Sequence, residues 1–205
     1  MPDWVLAAER AYVAAAIAGR SPDPPATPSG AAGASALEAA MTPARRARAL
    51  AAAGAIASRY LAVGTPRSFG IVIDDATEVE AAALALVAHR TWFDPRDLRC
   101  AATGTGAAEL AAATGGRVVS IEEALACDIA NVYSARLRIT PAQLRRGTHV
   151  NAASVEVFDP ELLAVATVVR QAGLPALAAG LVDGRQLDEL TIFVIDGAPI
   201  AAAAV

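Results

Sequence analysis

SFGIVIDDATEVEAAALALVAHRTWF, residues 68–93, decides the fold. Residues 68–74 are a continuous apolar run closed by a carboxylate, the texture of a strand buried on both faces. Residues 76–93 then carry apolar side chains at helical spacing until Asp94-Pro95 stops them. DLRCAA (97–102) reads as the next strand, and the alternation continues. A helix is expected over 105–114, a strand over 117–120 and a helical turn over 121–126. A strand follows over 127–135, a helical start over 140–144, a strand over 148–154 and a helix over 159–171. Strand, helix and strand at this spacing imply parallel pairing through right-handed crossovers. The pattern predicts an α/β fold with a doubly wound, mainly parallel sheet and the 68–74 strand at its centre.

Upstream the texture differs. Residues 4–18 read as a helix, and residues 21–35, with four prolines and two glycines, as a linker. A second helix is expected from Thr42, a plausible N-cap before Pro43, to Val63, with Gly64 and Pro66 ending it. Residues 1–66 hold too few large apolar side chains to fold alone. They are expected to form an N-terminal helical segment packed on a domain of residues 67–205 or on a second copy. Leu50, Ile56, Tyr60 and Leu61 offer a narrow apolar seam, so a homodimer is expected.

Hydrophobic residues make up 55% and charged residues 19% of the chain, with a mean hydropathy of +0.42. Alanine explains the high value, at roughly a quarter of all residues. No charge-free apolar stretch is long enough to span a bilayer, and Glu9 and Arg10 interrupt the apolar start, so no leader and a cytoplasmic location are expected. A net charge of −4 argues against nucleic acid as a partner. All 17 basic residues are arginine, which fits a GC-rich bacterial genome. With no lysine, Schiff-base chemistry is excluded. Cys100 and Cys127 lack metal-ligand spacing and read as small packing residues. Two histidines and no nucleophile elbow give no Ser-His-Asp order.

Several segments, in order, resemble the ornithine cyclodeaminase/mu-crystallin family. AIASRYLAVGTPRSFGIVI (55–73) is similar to the family's long helix leading into the first Rossmann strand. SIEEALACDIANVYSA (120–135), ITPAQLRRGTHVNAAS (139–154) and GRQLDELTIF (184–193) resemble three later segments. AAERAYVAAAIAG (7–19) is similar to the opening helix. The resemblance implies a Rossmann-like core, with residues 1–66 as the remnant of the substrate and dimerisation domain.

The departures are specific. A Rossmann site uses a glycine-rich turn after the first strand, so that backbone N–H groups reach the pyrophosphate. That place reads Ile73-Asp74-Asp75-Ala76-Thr77-Glu78, with two carboxylates and no glycine. The acidic ribose-binding residue expected after the second strand is replaced by Ala101-Ala102-Thr103-Gly104. NAD(P) is therefore disfavoured and no cofactor is expected. The family's catalytic aspartate loop has no counterpart, because Ala153-Ser154 runs almost directly into Glu156. Its substrate-binding lysine is also absent, so ornithine deamination is not expected. What remains is a degenerate Rossmann protein, in effect a pseudoenzyme, that binds a small molecule or a partner. The alternatives are a cofactor-independent biosynthetic enzyme, for cyclisation, isomerisation or condensation, or a reductase holding NAD(P) without the glycine-rich turn.

Open α/β sheets place ligands at the strand C-termini, which singles out Asp74, Asp75 and Tyr133 as catalytic candidates. Thr77, Gly104, Thr105, Ser134, His149 and Ser154 are the ligand-binding candidates. A carboxylate pair in a low-dielectric crevice is expected to keep one proton near neutrality and act as an acid. The plainer alternatives are Asp75 as a helix cap, Gly104-Thr105-Gly106 as a turn and His149 as a structurally hydrogen-bonded residue. His89, beside Arg90, is expected at the surface or an interface.

Overall fold

The structure, a computed structural model, describes residues 2–18, 43–181 and 189–195. Among these residues seven strands form one sheet: β1 (Ser68–Ile73), β2 (Asp97–Ala102), β3 (Arg117–Val118), β4 (Ile129–Val132), β5 (His149–Ala152), β6 (Thr167–Arg170) and β7 (Thr191–Val194). Their order is β3-β2-β1-β4-β5-β7-β6, and every pairing is parallel. The chain starts inside the sheet, winds outward through β2 and β3, and returns past β1 to β4. This is a Rossmann-like α/β fold, with the order reversing between β1 and β4.

Among the described residues, seven helices cover it: α1 (Asp3–Ala18), α2 (Pro43–Leu61), α3 (Val79–His89), α4 (Ala107–Thr114), α5 (Ile121–Leu125), α6 (Pro160–Val165) and α7 (Leu174–Ala178). On one face Val72, Ala130, Val150 and Ile192 pack against Leu125 of α5 and Leu162 of α6. On the other, Phe69, Ile71 and Ile73 meet Ala82 and Leu86 of α3 and Leu110 of α4. The alternation along β1 explains both layers, since Phe69 to Ile73 are all buried. Gly70 is required there: a Cβ would stand 1.9 Å from the Ala124 carbonyl oxygen, so only glycine lets α5 lie on the strand. Ser120 starts α5 with a capping box, accepting from Glu123 N–H at 3.2 Å while the Glu123 carboxylate accepts from Ser120 N–H at 3.1 Å.

The N-terminal helices complete the second layer. Tyr12 of α1, Ile56 and Leu61 of α2, Leu177 of α7 and Phe193 of β7 form one cluster. The seam expected to serve a dimer is thus used within the chain, with Ile56 and Leu61 buried there and Tyr60 packed against it.

The expected helix over 159–171 is shorter. It stops at Val165, Ala166 turns extended, and Thr167–Arg170 becomes β6, paired through Val168 with Ile192 of β7. The β-branched run Thr167, Val168 and Val169 resists helical χ1 and favours a strand. β7 adds a further strand that the sequence pattern did not announce.

Candidate functional site

The C-terminal ends of β1, β2 and β4 meet at Asp74, the first residue beyond β1 and 7% exposed. Its carboxylate accepts from the Thr103 hydroxyl at 2.6 Å, from the Ser134 hydroxyl, and from Ala135 N–H at 2.8 Å. Ser134 Oγ in turn accepts from the N–H groups of Arg136 and Leu137, each at 3.2 Å. Asp74 therefore ties three strand ends across the point of reversal. Burial pushes its pKa up. Hydrogen bonds from Ser134, Thr103 and Ala135, with the nearby Arg136 charge, outweigh this and hold it below the ordinary value.

Asp75 is solvent-facing and caps the following 3-10 turn, accepting from Thr77 N–H at 2.9 Å and the Thr77 hydroxyl at 2.5 Å. These bonds lower its pKa as well. The expectation that one of the two carboxylates keeps a proton near neutrality is thus not met, since the surroundings of Asp74 and Asp75 both favour the charged form. Glu78 behaves differently. It accepts from Asp74 N–H at 2.6 Å, and burial, with the two neighbouring carboxylates, raises its pKa. Tyr133, just beyond β4, is raised by burial and then by the Glu78 charge.

The turn after β2 leans on the turn after β1. Gly104 sits so close that a Cβ would lie 2.9 Å from the Asp74 carbonyl oxygen, and Gly106, at φ +98°, would meet Ala76 N at 2.7 Å. Thr105 between them is exposed. Ser154 lies past the C-terminal end of β5 on the same edge, where it caps the turn Val155–Val157 by accepting from Glu156 N–H at 3.1 Å. Asp74, Asp75, Thr77, Gly104, Thr105, Tyr133, Ser134 and Ser154 therefore share one edge of the sheet. Thr103, Glu78 and Arg136 belong to it too. Their signal in the sequence is position, directly after β2, β1 and β4.

His149 is not there. It opens β5 at the opposite edge, fully buried, with Nδ1 2.8 Å from Thr191 Oγ1 and Nε2 3.1 Å from Asn151 Oδ1. His89 also departs from expectation, being fully buried beneath α2 rather than at the surface. Its neighbour in sequence, Arg90, is exposed, because the C-terminal turn of α3 points the two side chains to opposite sides. Among the described residues no group of His, Cys, Asp and Glu is placed to hold a metal ion, and no helix is long and apolar enough to cross a membrane.

Fold and edge together define an open α/β protein whose strand order reverses between β1 and β4, the place where such sheets hold their ligands. No family model matches the sequence, and no curated protein matches it. Solved structures do. An archaeal alanine dehydrogenase dimer with bound NAD is 26% identical with a TM-score of 0.62, over 76% of this chain and 60% of that one. The Δ1-pyrroline-2-carboxylate reductase of Thermococcus litoralis, in complex with NADH and L-proline, is 20% identical with a TM-score of 0.64, over 79% and 62%. A probable ornithine cyclodeaminase from Bordetella pertussis Tohama I is 18% identical with a TM-score of 0.58, over 77% and 62%. The chain spans about 60% of the length of the solved structures it matches.

These neighbours are ornithine cyclodeaminase/mu-crystallin-like enzymes, as the resemblance in sequence implied. They correct the expectation that no cofactor is used, since the dehydrogenase holds NAD and the reductase NADH. That expectation took the missing glycines of the β1 turn as decisive. The folded edge keeps the reversal between β1 and β4, and it places the exposed Arg136 beside the carboxylates of Asp74 and Asp75.

Proposed function

We propose that this chain binds a nicotinamide dinucleotide across the C-terminal ends of β2, β1 and β4, in an enzyme of small amino or imino acids. The observation that supports this most is the strand reversal at β1 and β4, in a fold 26% identical to a dehydrogenase with bound NAD. The binding mode differs from the glycine-rich one. Asp75 and Glu78 already accept from the N–H groups of Thr77 and Asp74, and Gly104 N–H is held by the Asp74 carbonyl, so the phosphates are met by Arg136 and by the exposed Thr105. Arg136 supplies the cation, which matters most where carboxylates crowd the site.

Ornithine deamination by the family's route is not part of the proposal. The chain has no lysine, and Ser154 to Glu156 is a tight turn with no room for an aspartate loop. Self-association is proposed as well, through a surface other than the seam that packs within the chain, with light scattering as its check. The deciding experiment for the cofactor is titration calorimetry with NADH and NADPH. A dissociation constant in the micromolar range is expected, about −8 kcal/mol, weakened about tenfold in Arg136→Ala. No heat of binding at millimolar nucleotide would refute it.

A further inference from the structure

In open α/β sheets the pyrophosphate of a dinucleotide lies over the turn after the first strand, and the adenosine ribose against the end of the second. A ribose with a free 2′-hydroxyl is met there by a carboxylate, which accepts from it, whereas a 2′-phosphate is met by an arginine. From Ala101 to Ala108 this chain has no acidic residue, and the first carboxylate after β2 is Glu109, on the first turn of α4. Asp74 cannot stand in for the missing group. It is 7% exposed, and its oxygens accept from Thr103, Ser134 and Ala135. Asp75 is turned to Thr77 within its own turn.

Groups that favour an anion meet at the end of β2 instead. Arg136 comes from the segment after β4 and reaches across to the turn after β2, where its Nη1 lies 3.9 Å from the place a Cβ on Gly104 would take. The guanidinium feels the charges of Asp74 and Asp75 but forms no close ion pair among the described residues. Thr105, beside it, is exposed. The helix α4 begins at the same turn without a side-chain cap, because its N-cap is Gly106 at φ +98°. The N–H groups of its first turn, and the positive end of its dipole, therefore add to the Arg136 charge. The exposed Asp75 opposes them, but through solvent, which screens its charge, while a guanidinium in contact with a phosphate forms paired charge-assisted bonds.

We infer that the end of β2 takes the 2′-phosphate of the adenosine ribose, so that the chain prefers NADP(H) to NAD(H), with Arg136 setting the choice and Thr105 beside it. This rests on the nucleotide reading proposed above and narrows it to one class of cofactor. Arg136 stands between the turns after β1 and β2, so it serves the pyrophosphate of either nucleotide and the 2′-phosphate of NADP(H) alone. The preference sets the chain apart from the dehydrogenase and the reductase, whose structures hold NAD and NADH.

Titration calorimetry of the full chain with NADPH and with NADH, at one ionic strength, is the test. NADPH is expected to bind about tenfold more tightly than NADH. Arg136→Ala is expected to weaken NADPH about a hundredfold and NADH about tenfold, so that the difference closes. Thr105→Asp places a carboxylate on the exposed turn after β2, and is expected to invert the order by weakening NADPH about a hundredfold with NADH changed less than about twofold. Circular dichroism checks that both variants keep the native fold. NADH binding as tightly as NADPH in the native chain overturns the inference and leaves the nucleotide reading standing. So does a difference that survives in Arg136→Ala or is unmoved in Thr105→Asp. Binding of neither nucleotide overturns the reading and the inference together.

Discussion

Two polar clusters of similar size sit at opposite depths, and they solve the same problem in opposite ways. At the strand ends, Asp74 keeps a full charge because three donors and Arg136 surround it. Under α2, Asn151 bonds Ser58, Asn131 and His149, Ser58 bonds His89, and His89 keeps no charge because nothing there would stabilise one. The edge can exchange its partners with solvent or a ligand. The buried cluster cannot, since each group it loses leaves another unpaired. Binding belongs to the first and conformational specificity to the second.

The comparison breaks most readily in the buried cluster. Asn151→Leu leaves Ser58, Asn131 and His149 each short of a partner. At about 1–3 kcal/mol per buried unpaired group, a loss of roughly 4 kcal/mol is expected in urea unfolding. A loss under 1 kcal/mol would show that the bonds contribute nothing net.

Acid comes next. The pKa of His89 is depressed in the folded state to about 4 from 6.5, so the native chain binds fewer protons than the unfolded one. Its contribution is complete above pH 6.5 and is lost as the pH falls towards 4, by roughly 3 kcal/mol. Unfolding free energies of the native chain and His89→Gln between pH 7 and 4 measure it. Asp74 has the ordinary carboxylate sign. Its lowered pKa gives stability above the unfolded value that is lost only as the pH falls below it. The acid losses of the two clusters are thus separated in pH.

Asp74→Asn tests the edge directly. The amide fits the site but loses charge-assisted bonds, so a cost of about 2 kcal/mol is expected in thermal or urea unfolding. The smallest effect is Ser120→Ala, which removes the capping box of α5 for about 1 kcal/mol.

How far these features were legible depends on what the fold required of single residues. The run Phe69 to Ile73 announced β1 because both its faces are covered, while the helix after it ends at His89, short of the stop expected at Asp94-Pro95. β6 was hidden because Pro160 to Val165 is helical and the chain passes into Thr167 without a glycine or proline between. Asp74 and Ser134 were legible as strand-end residues. The sign of the Asp74 pKa was not, because it depends on Thr103 and Ala135, brought in by neighbouring strands. His89 was misplaced because its partner Ser58 lies 31 residues away on another helix. The glycine fingerprint misled most: its loss describes one turn, while ligand placement follows strand order.

Titration of the full chain with NADH tests the central claim most directly. Heat of binding with a micromolar dissociation constant, reduced about tenfold in Arg136→Ala, is the predicted result. Binding that is unchanged in Arg136→Ala would contradict the placement at this edge, and no binding at millimolar NADH would contradict the claim itself.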